Sequence, residues 1–305
     1  MSFVATVGSV NIVLVYSGLP RLPQEGEELF AKGFSLQMGG GSPATLINLA
    51  GLGVPVKIST WLGEDMFSAF AKSYFAQEGI TPCNLYTGTG IPLNISTVLI
   101  TPSDRTIASY TDGYTIDEKT AQRVYENAKG AKIVQMIGAA ELLDVYTQLK
   151  REGAVLVFDT GWEDDLSIEK YRKQLDIADY YTPNQKEALK ITNTDTPDEA
   201  AKVLSDLFEN VIVKLDQDGC LIMENGTKKV IPNLEVEARD STGAGDAFLA
   251  GLMYGLYHGY SFEDSVIFGN VTGAKCVTGI GCLTARCDEK ELHVLAENWR
   301  SKTHG

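Results

Sequence analysis

Asp240-Ser-Thr-Gly-Ala-Gly-Asp246 runs directly into Ala247-Phe-Leu-Ala-Gly-Leu-Met-Tyr-Gly-Leu256, so two glycines and an acid stand at the start of an apolar helix. The first-turn N–H groups of a helix have no intrahelical partner and lie at the positive end of its dipole, and small residues let an anion reach them. Asp246 is a poor phosphate ligand, because a carboxylate would repel the anion. An acid at that position fits a base that takes a proton from an attacking hydroxyl. The same letters also fit an ordinary helix start behind a turn, and a match this short arises by chance.

Working outward, Met38-Gly-Gly-Gly-Ser-Pro-Ala-Thr-Leu-Ile-Asn-Leu-Ala-Gly-Leu-Gly53 is a second glycine-rich helix entry, with Pro43 in the first turn and Gly53 closing the helix. Extended and helical patterns alternate around these two segments. Residues 3–15 and 54–60 read as extended, 44–52 and 67–77 as helical, and the rhythm continues through 131–136, 141–151, 154–158, 180–182, 197–208 and 210–215. Such alternation predicts a mostly parallel sheet with helices on both faces and ligands beyond the carboxyl ends of its strands. Residues 14–37 and 91–111 break the rhythm with alternating apolar and polar residues. There the runs 93–100 and 106–110, joined by a turn at Ser103-Asp-Arg105, predict a small sheet projecting from the main domain.

The chain has 305 residues, 44% of them hydrophobic, enough for a substantial core. No apolar run approaches the ~20 residues that span a bilayer, and no basic-then-apolar leader opens the chain, so a cytoplasmic enzyme without membrane partners is expected. The five cysteines include no Cys-x-x-Cys pair, and the three histidines have no metal-ligand spacing. A net charge of −14 without clustered Lys or Arg argues against nucleic acid. A Gly-x-Gly-x-x-Gly turn after the first strand is absent, and so is a Gly-x-x-x-x-Gly-Lys-Ser/Thr loop, which removes the dinucleotide oxidoreductase and P-loop readings.

The two glycine-rich entries together resemble the paired signatures of the ribokinase-like sugar kinases, the phosphofructokinase-B family. Further matches follow in order: Val7-Gly-Ser-Val-Asn11, Leu62-Gly-Glu-Asp65, Thr182-Pro-Asn-Gln-Lys-Glu187, Val213-Lys-Leu-Asp-Gln-Asp-Gly219 and Cys276-Val-Thr-Gly-Ile-Gly281. The resemblance implies one catalytic domain over residues 1–305, a three-layer α/β/α fold with a mostly parallel sheet and a small β lid from about 14–38 and 91–111. It also implies a homodimer and an ATP-dependent kinase that phosphorylates a hydroxyl of a sugar or sugar-like molecule.

By the same resemblance Asp246 is the general base, and the amides of Gly243, Ala244 and Gly245 form an anion hole for the transferring phosphoryl group. Asn184 and Glu187 correspond to a pair that organises magnesium through its waters, although their spacing equally fits an N-cap and its first-turn acid. Lys214, Gly219 and Asn270 fall in the nucleotide region. Asp240, Thr242, Gly279 and Gly281 fall where relatives hold potassium. Asn11, Gly40, Gly41 and Thr45 fall at the acceptor, and Arg105 in the lid turn either recognises an acid or phosphate on the substrate or is a solvated turn residue.

Three positions depart from the pattern. Val13 stands in place of an acid that grips substrate hydroxyls, Thr45 in place of an asparagine, and Asp216 in place of a glycine near the nucleotide. The changed acceptor end leaves two other readings open: a nucleoside kinase of the same family, and a sugar-binding regulator without turnover.

Overall fold

The computed structural model describes residues 2–303. Its central sheet is parallel, in the spatial order β10 (Tyr180–Tyr181), β9 (Val155–Phe158), β8 (Ile133–Met136), β1 (Val4–Val7), β4 (Val56–Thr60), β5 (Cys83–Asn84). Beyond β10, a parallel bridge from Asn184 to Lys214 connects it to an antiparallel set, β11 (Asn210–Lys214), β12 (Cys220–Glu224) and β13 (Thr227–Ile231). The strands read as near-continuous apolar runs because both faces are covered. Val4, Ile133, Val157 and Ile212 face one core, and their neighbours Ala5, Val134, Leu156 and Val211 face the other.

The first core packs α1 (Gly41–Gly51), α2 (Met66–Gln77), α8 (Ala244–His258), α9 (Phe262–Cys276) and α10 (Glu289–Thr303) against the sheet. The second packs α3 (Glu118–Ala128), α4 (Leu143–Arg151), α5 (Ile168–Ile177), α6 (Gln185–Thr192) and α7 (Pro197–Leu204) on the opposite face. This is the three-layer α/β/α arrangement. Helix α8 is buried continuously from Ala247 to Gly255, wedged between the sheet, α1 and α9. Its glycines make that wedge possible: a Cβ on Gly251 would lie 2.3 Å from the Phe268 carbonyl oxygen, and one on Gly255 2.4 Å from Ser265 Oγ. The close contact between α8 and α9 fixes the direction in which the first turn of α8 points.

A four-stranded sheet projects from the core in the order β3 (Gly33–Gly39), β2 (Asn11–Ser17), β6 (Asn94–Ile100), β7 (Arg105–Tyr110). The extended run at 3–15 is therefore two strands in two sheets. The break falls at Gly8, where a Cβ would lie 2.8 Å from Ser42 Cβ at the start of α1, so the chain turns there to clear the helix. The helix expected at 141–151 begins as a 3₁₀ turn at Ala140–Leu142, and that at 197–208 ends at Leu204. No described helix is long and apolar enough to cross a membrane.

Candidate active site

The first turn of α8 and the projecting sheet enclose a cavity of about 520 Å³. Its floor is the loop 239–246 with residues 280–282, and its roof is the inner face of β2, β6 and β7. Gly243 caps α8 at φ +80°, and a Cβ there would sit 2.0 Å from Cys282 Cβ, so the turn admits only glycine. The amides of Gly243 and Gly245 donate to no atom of the described residues, whereas that of Ala244 donates to the Ser241 carbonyl at 3.2 Å. Ala244, expected to share in an anion hole, thus has its N–H engaged within the turn.

Asp246 lies in the first turn of α8, half-buried, and lines the cavity. A Cβ on Gly41 would lie 3.7 Å from its Oδ1, so the two glycine-rich helix entries meet at this acid. Burial and the neighbouring Asp159 push the Asp246 carboxyl up to about 7, against the pull of Lys214 and the Thr45 hydroxyl. Lys214 Nζ would be 3.4 Å from a Cβ on Gly245 and is 3.7 Å from Asp159 Oδ2. The group is therefore poised between its charged and neutral forms near neutral pH.

Asp159, at the carboxyl end of β9, was not singled out from the sequence. An acid directly after the buried run Val155–Phe158 is a signal for a ligand-facing position in this class of fold. With Lys214, Glu187 and Asp246 it forms a compact charged group across the ends of β9, β11, α6 and α8. Glu187 is 5% exposed, and burial, followed by Asp159, raises its carboxyl above the ordinary range while Lys214 opposes.

Asn184 and Glu187 form the complete capping box of α6. The Asn184 side chain accepts from the Glu187 amide at 3.0 Å, and Glu187 Oε2 accepts from the Asn184 amide at 2.8 Å. Glu187 Oε1 accepts no hydrogen bond from a described residue. No three His, Cys, Asp or Glu among the described residues are grouped to hold a metal ion unaided. This donor set suits magnesium that arrives with a nucleotide and keeps most of its waters.

At the rim, Asp240 is fully engaged. Its Oδ1 accepts from the Thr242 amide at 2.9 Å, from the Thr242 hydroxyl at 2.7 Å and from Arg105 Nη1 at 2.9 Å; its Oδ2 accepts from the Gly281 amide at 2.8 Å. Burial works against ionisation of Asp240, but these bonds together hold its carboxyl below the usual range. Arg105 also donates to the Thr242 hydroxyl. Arg105, though partly exposed, thus bridges roof and floor, and Gln37 Nε2 adds a second bridge to the Ile280 carbonyl at 3.1 Å. The Arg105 guanidinium thus stands directly beside the Asp240 carboxylate. Gly279 lies against Thr284, where a Cβ would approach its Oγ1 to 2.3 Å, and is absent from the cavity wall, which Gly281 joins.

The other expected residues divide. Asn11 and Gly40 line the cavity, with Asn11 Oδ1 accepting from the Ser96 hydroxyl at 3.1 Å. Thr45 does not reach it: the residue is fully buried, its hydroxyl donates to the Gly41 carbonyl at 3.1 Å, and it backs Asp246 from the interior. Asn270 is also interior, its amide donating to the Ile231 carbonyl at 3.1 Å and so tying α9 to the end of β13. Gly219 makes the turn between β11 and β12 at φ +98°, where a Cβ would lie 2.1 Å from the Ile231 carbonyl oxygen. Asp216 has φ +54°, a left-handed conformation that suits the glycine of the resembling pattern better than an aspartate.

Comparison with known proteins agrees with this architecture. Residues 1–289 match the pfkB family carbohydrate kinases. The chain is 27% identical over 286 residues to a ribokinase of Haemophilus influenzae, covering 90% of this chain and 92% of that one. Among solved structures, a ribokinase of Thermotoga maritima superposes with a TM-score of 0.81 at 23% identity, covering 98% of this chain and all of the other. An Arabidopsis thaliana ribokinase complexed with ribose and ATP superposes at 0.79 and 22% identity, covering 97% and 99%. The chain belongs to the pfkB family of carbohydrate kinases and is a phosphotransferase with an alcohol group as acceptor.

Proposed function

We propose that the protein transfers the γ-phosphoryl group of ATP to a hydroxyl of a sugar or sugar-like molecule bound in the 520 Å³ cavity, with Asp246 as general base. The observation that carries this reading is the placement of Asp246. Its carboxyl lines the cavity from the first turn of α8, is raised to about 7, and stands beside two glycine amides without a partner among the described residues. In-line phosphoryl transfer requires little covalent help from the protein, so catalysis rests on position and charge.

The acceptor hydroxyl gives its proton to Asp246 as its oxygen approaches the γ-phosphorus. The Gly243 and Gly245 amides, aligned with the dipole of α8, stabilise negative charge developing on the phosphoryl oxygens. Lys214 steadies the local field among three carboxyls. Asn184 and Glu187 would hold magnesium through its waters, and when bound it neutralises phosphate charge. The roof excludes water that would otherwise compete with the acceptor, and the Arg105 and Gln37 bridges hold it against the floor. The outward face of the roof carries Leu14, Tyr16, Phe34 and Leu36, with Phe34 59% exposed; a second copy of the chain is the occupant we assign to it.

Coupled ADP release with magnesium, measured over sugars, sugar acids and nucleosides, tests the reading. Turnover with at least one acceptor that disappears in Asp246→Asn, with ligand binding retained, supports it. A sugar-binding regulator would bind a ligand and show the same behaviour with and without the substitution.

A further inference from the structure

Lys214 closes β11 and supplies the ammonium of the charged group it forms with Asp159, Glu187 and Asp246. Its backbone is pinned from two directions. It pairs with Cys220 across the antiparallel ladder, and on the other edge its amide donates to the Pro183 carbonyl at 3.0 Å beside the parallel bridge to Asn184. The side chain is only 13% exposed, and Nζ lies 5.9 Å from the centre of the buried Phe248 ring, within cation–π reach. The ammonium therefore has a fixed place rather than a range of solvated ones.

That place is short of hydrogen-bond partners. Lys214 Nζ donates to no described residue, and its ion-pair partner, Asp159 Oδ2, stands at 3.7 Å. A charge-assisted N–H···O bond closes to about 2.7–2.9 Å, so this pair is Coulombic and leaves the ammonium donors free. A cation withdrawn from bulk water with its donors unpaired is costly to keep, and an anion that reaches it recovers that cost.

The surroundings indicate which anion. A Cβ on Gly245 would lie 3.4 Å from Lys214 Nζ and would meet no other described atom within 4 Å beyond its chain neighbours and its own helix backbone. The ammonium and the Gly245 amide, which has no acceptor among the described residues, thus border one open space. Asp246, the next residue, lines the acceptor cavity, whereas Gly245 and Lys214 do not. In an in-line transfer the attacking and leaving oxygens flank the phosphoryl group on opposite sides. A cation beside the base yet off the acceptor wall is placed for the phosphoryl group between them.

We propose, resting on the kinase reading above, that Lys214 is a catalytic residue whose ammonium hydrogen-bonds the γ-phosphoryl group of ATP together with the Gly245 amide, and that Asp159 is its positioning residue. As the acceptor oxygen bonds to the γ-phosphorus, the bond from that phosphorus to the oxygen bridging it to ADP breaks. The proton of the acceptor hydroxyl passes to Asp246, ADP leaves with the bridging oxygen, and Lys214 keeps all its protons. The ammonium stabilises charge on a non-bridging phosphoryl oxygen throughout.

Calorimetric titration of the full chain in the presence of magnesium compares ADP with the non-hydrolysable β,γ-imido analogue of ATP, which adds the γ-phosphoryl group. Lys214→Met should weaken the analogue about ten- to a hundredfold and leave ADP within about twofold. It should also lower kcat about 10²–10³-fold with the acceptor KM within a few-fold. Asp159→Asn should produce a smaller loss, again confined to the analogue. The double variant Lys214→Met/Asp159→Asn removes one charge of each sign, so it carries the test if Lys214→Met alone fails to fold, and it should show the same selective loss. Equal losses for ADP and the analogue, no loss for either, or recovery of analogue affinity in the double variant overturns the assignment, because the lysine then only balances Asp159 or serves another part of the nucleotide. A selective loss of the analogue in a protein that releases no ADP with any acceptor leaves the Lys214 contact standing and sinks the kinase reading instead.

Discussion

The floor and the roof of the cavity are built on different physical terms. The floor at Gly243–Asp246 depends on backbone: a left-handed glycine, two amides without an acceptor among the described residues and a helix dipole stand beside one carboxyl. The roof depends on side chains, with a valine wall and two hydrogen-bonded bridges, Arg105 to Asp240 and Gln37 to Ile280. Backbone geometry tolerates few residue types, so the transfer chemistry is constrained. A β-sheet face accepts many side chains at equal stability, so the choice of acceptor can vary above an unchanged floor.

The largest effect should come from breaking the floor chemically. Asp246→Asn should lower kcat at least about 10³-fold, in the upper range for loss of a general base, while calorimetric binding of ATP and acceptor stays within a few-fold. Ionising the wild-type carboxyl is disfavoured in the folded state, so its stabilising influence is complete below pH 4 and is lost as pH rises through about 7. Asp246→Asn should therefore gain stability relative to wild type between pH 4 and 7, reaching at most about 1–3 kcal/mol for this half-buried group in urea titrations.

Breaking the floor sterically comes next. Gly243→Ala combines a left-handed backbone with a Cβ only 2.0 Å from Cys282 Cβ and should cost about 3 kcal/mol or more in denaturant unfolding. Gly26→Ala has a similar φ of +79° but nothing within 4 Å, and should cost only about 1 kcal/mol. The difference between the two isolates the contact from the conformation.

The roof should yield kinetic rather than structural damage. Arg105→Gln should raise the acceptor KM about tenfold and increase acceptor-independent ATP hydrolysis, with a stability change under about 1 kcal/mol because the pair is partly exposed. The smallest effect is expected at Asp216, whose φ of +54° glycine adopts without strain. Asp216→Gly should stabilise the chain by about 0.5–1 kcal/mol in thermal or denaturant unfolding.

The same contrast explains what could be read in advance. The alternating apolar runs gave the layers, and the glycines of Met38–Gly53 and Asp240–Asp246 gave the two helix entries that converge on Asp246. Glycine and proline act locally, so their meaning survives in a linear sequence. Asp159 was not recognised because its role depends on Lys214 and Asp246 arriving from distant strands and helices. Thr45 and Asn270 sit on the right helices but face inward, since a helix position is set by rotation and packing that residue spacing describes only within a turn. The Arg105 bridge joins residues 135 apart, and no periodicity in the chain encodes such a pair.

The pH dependence of kcat/KM for phosphoryl transfer tests the central claim most directly. The account predicts an acid limb near pH 7, with activity lost as Asp246 takes up its proton, and no such limb in the residual activity of Asp246→Asn. A wild-type profile that stays flat from pH 5 to pH 8, or an unchanged limb in the variant, would contradict Asp246 as the base.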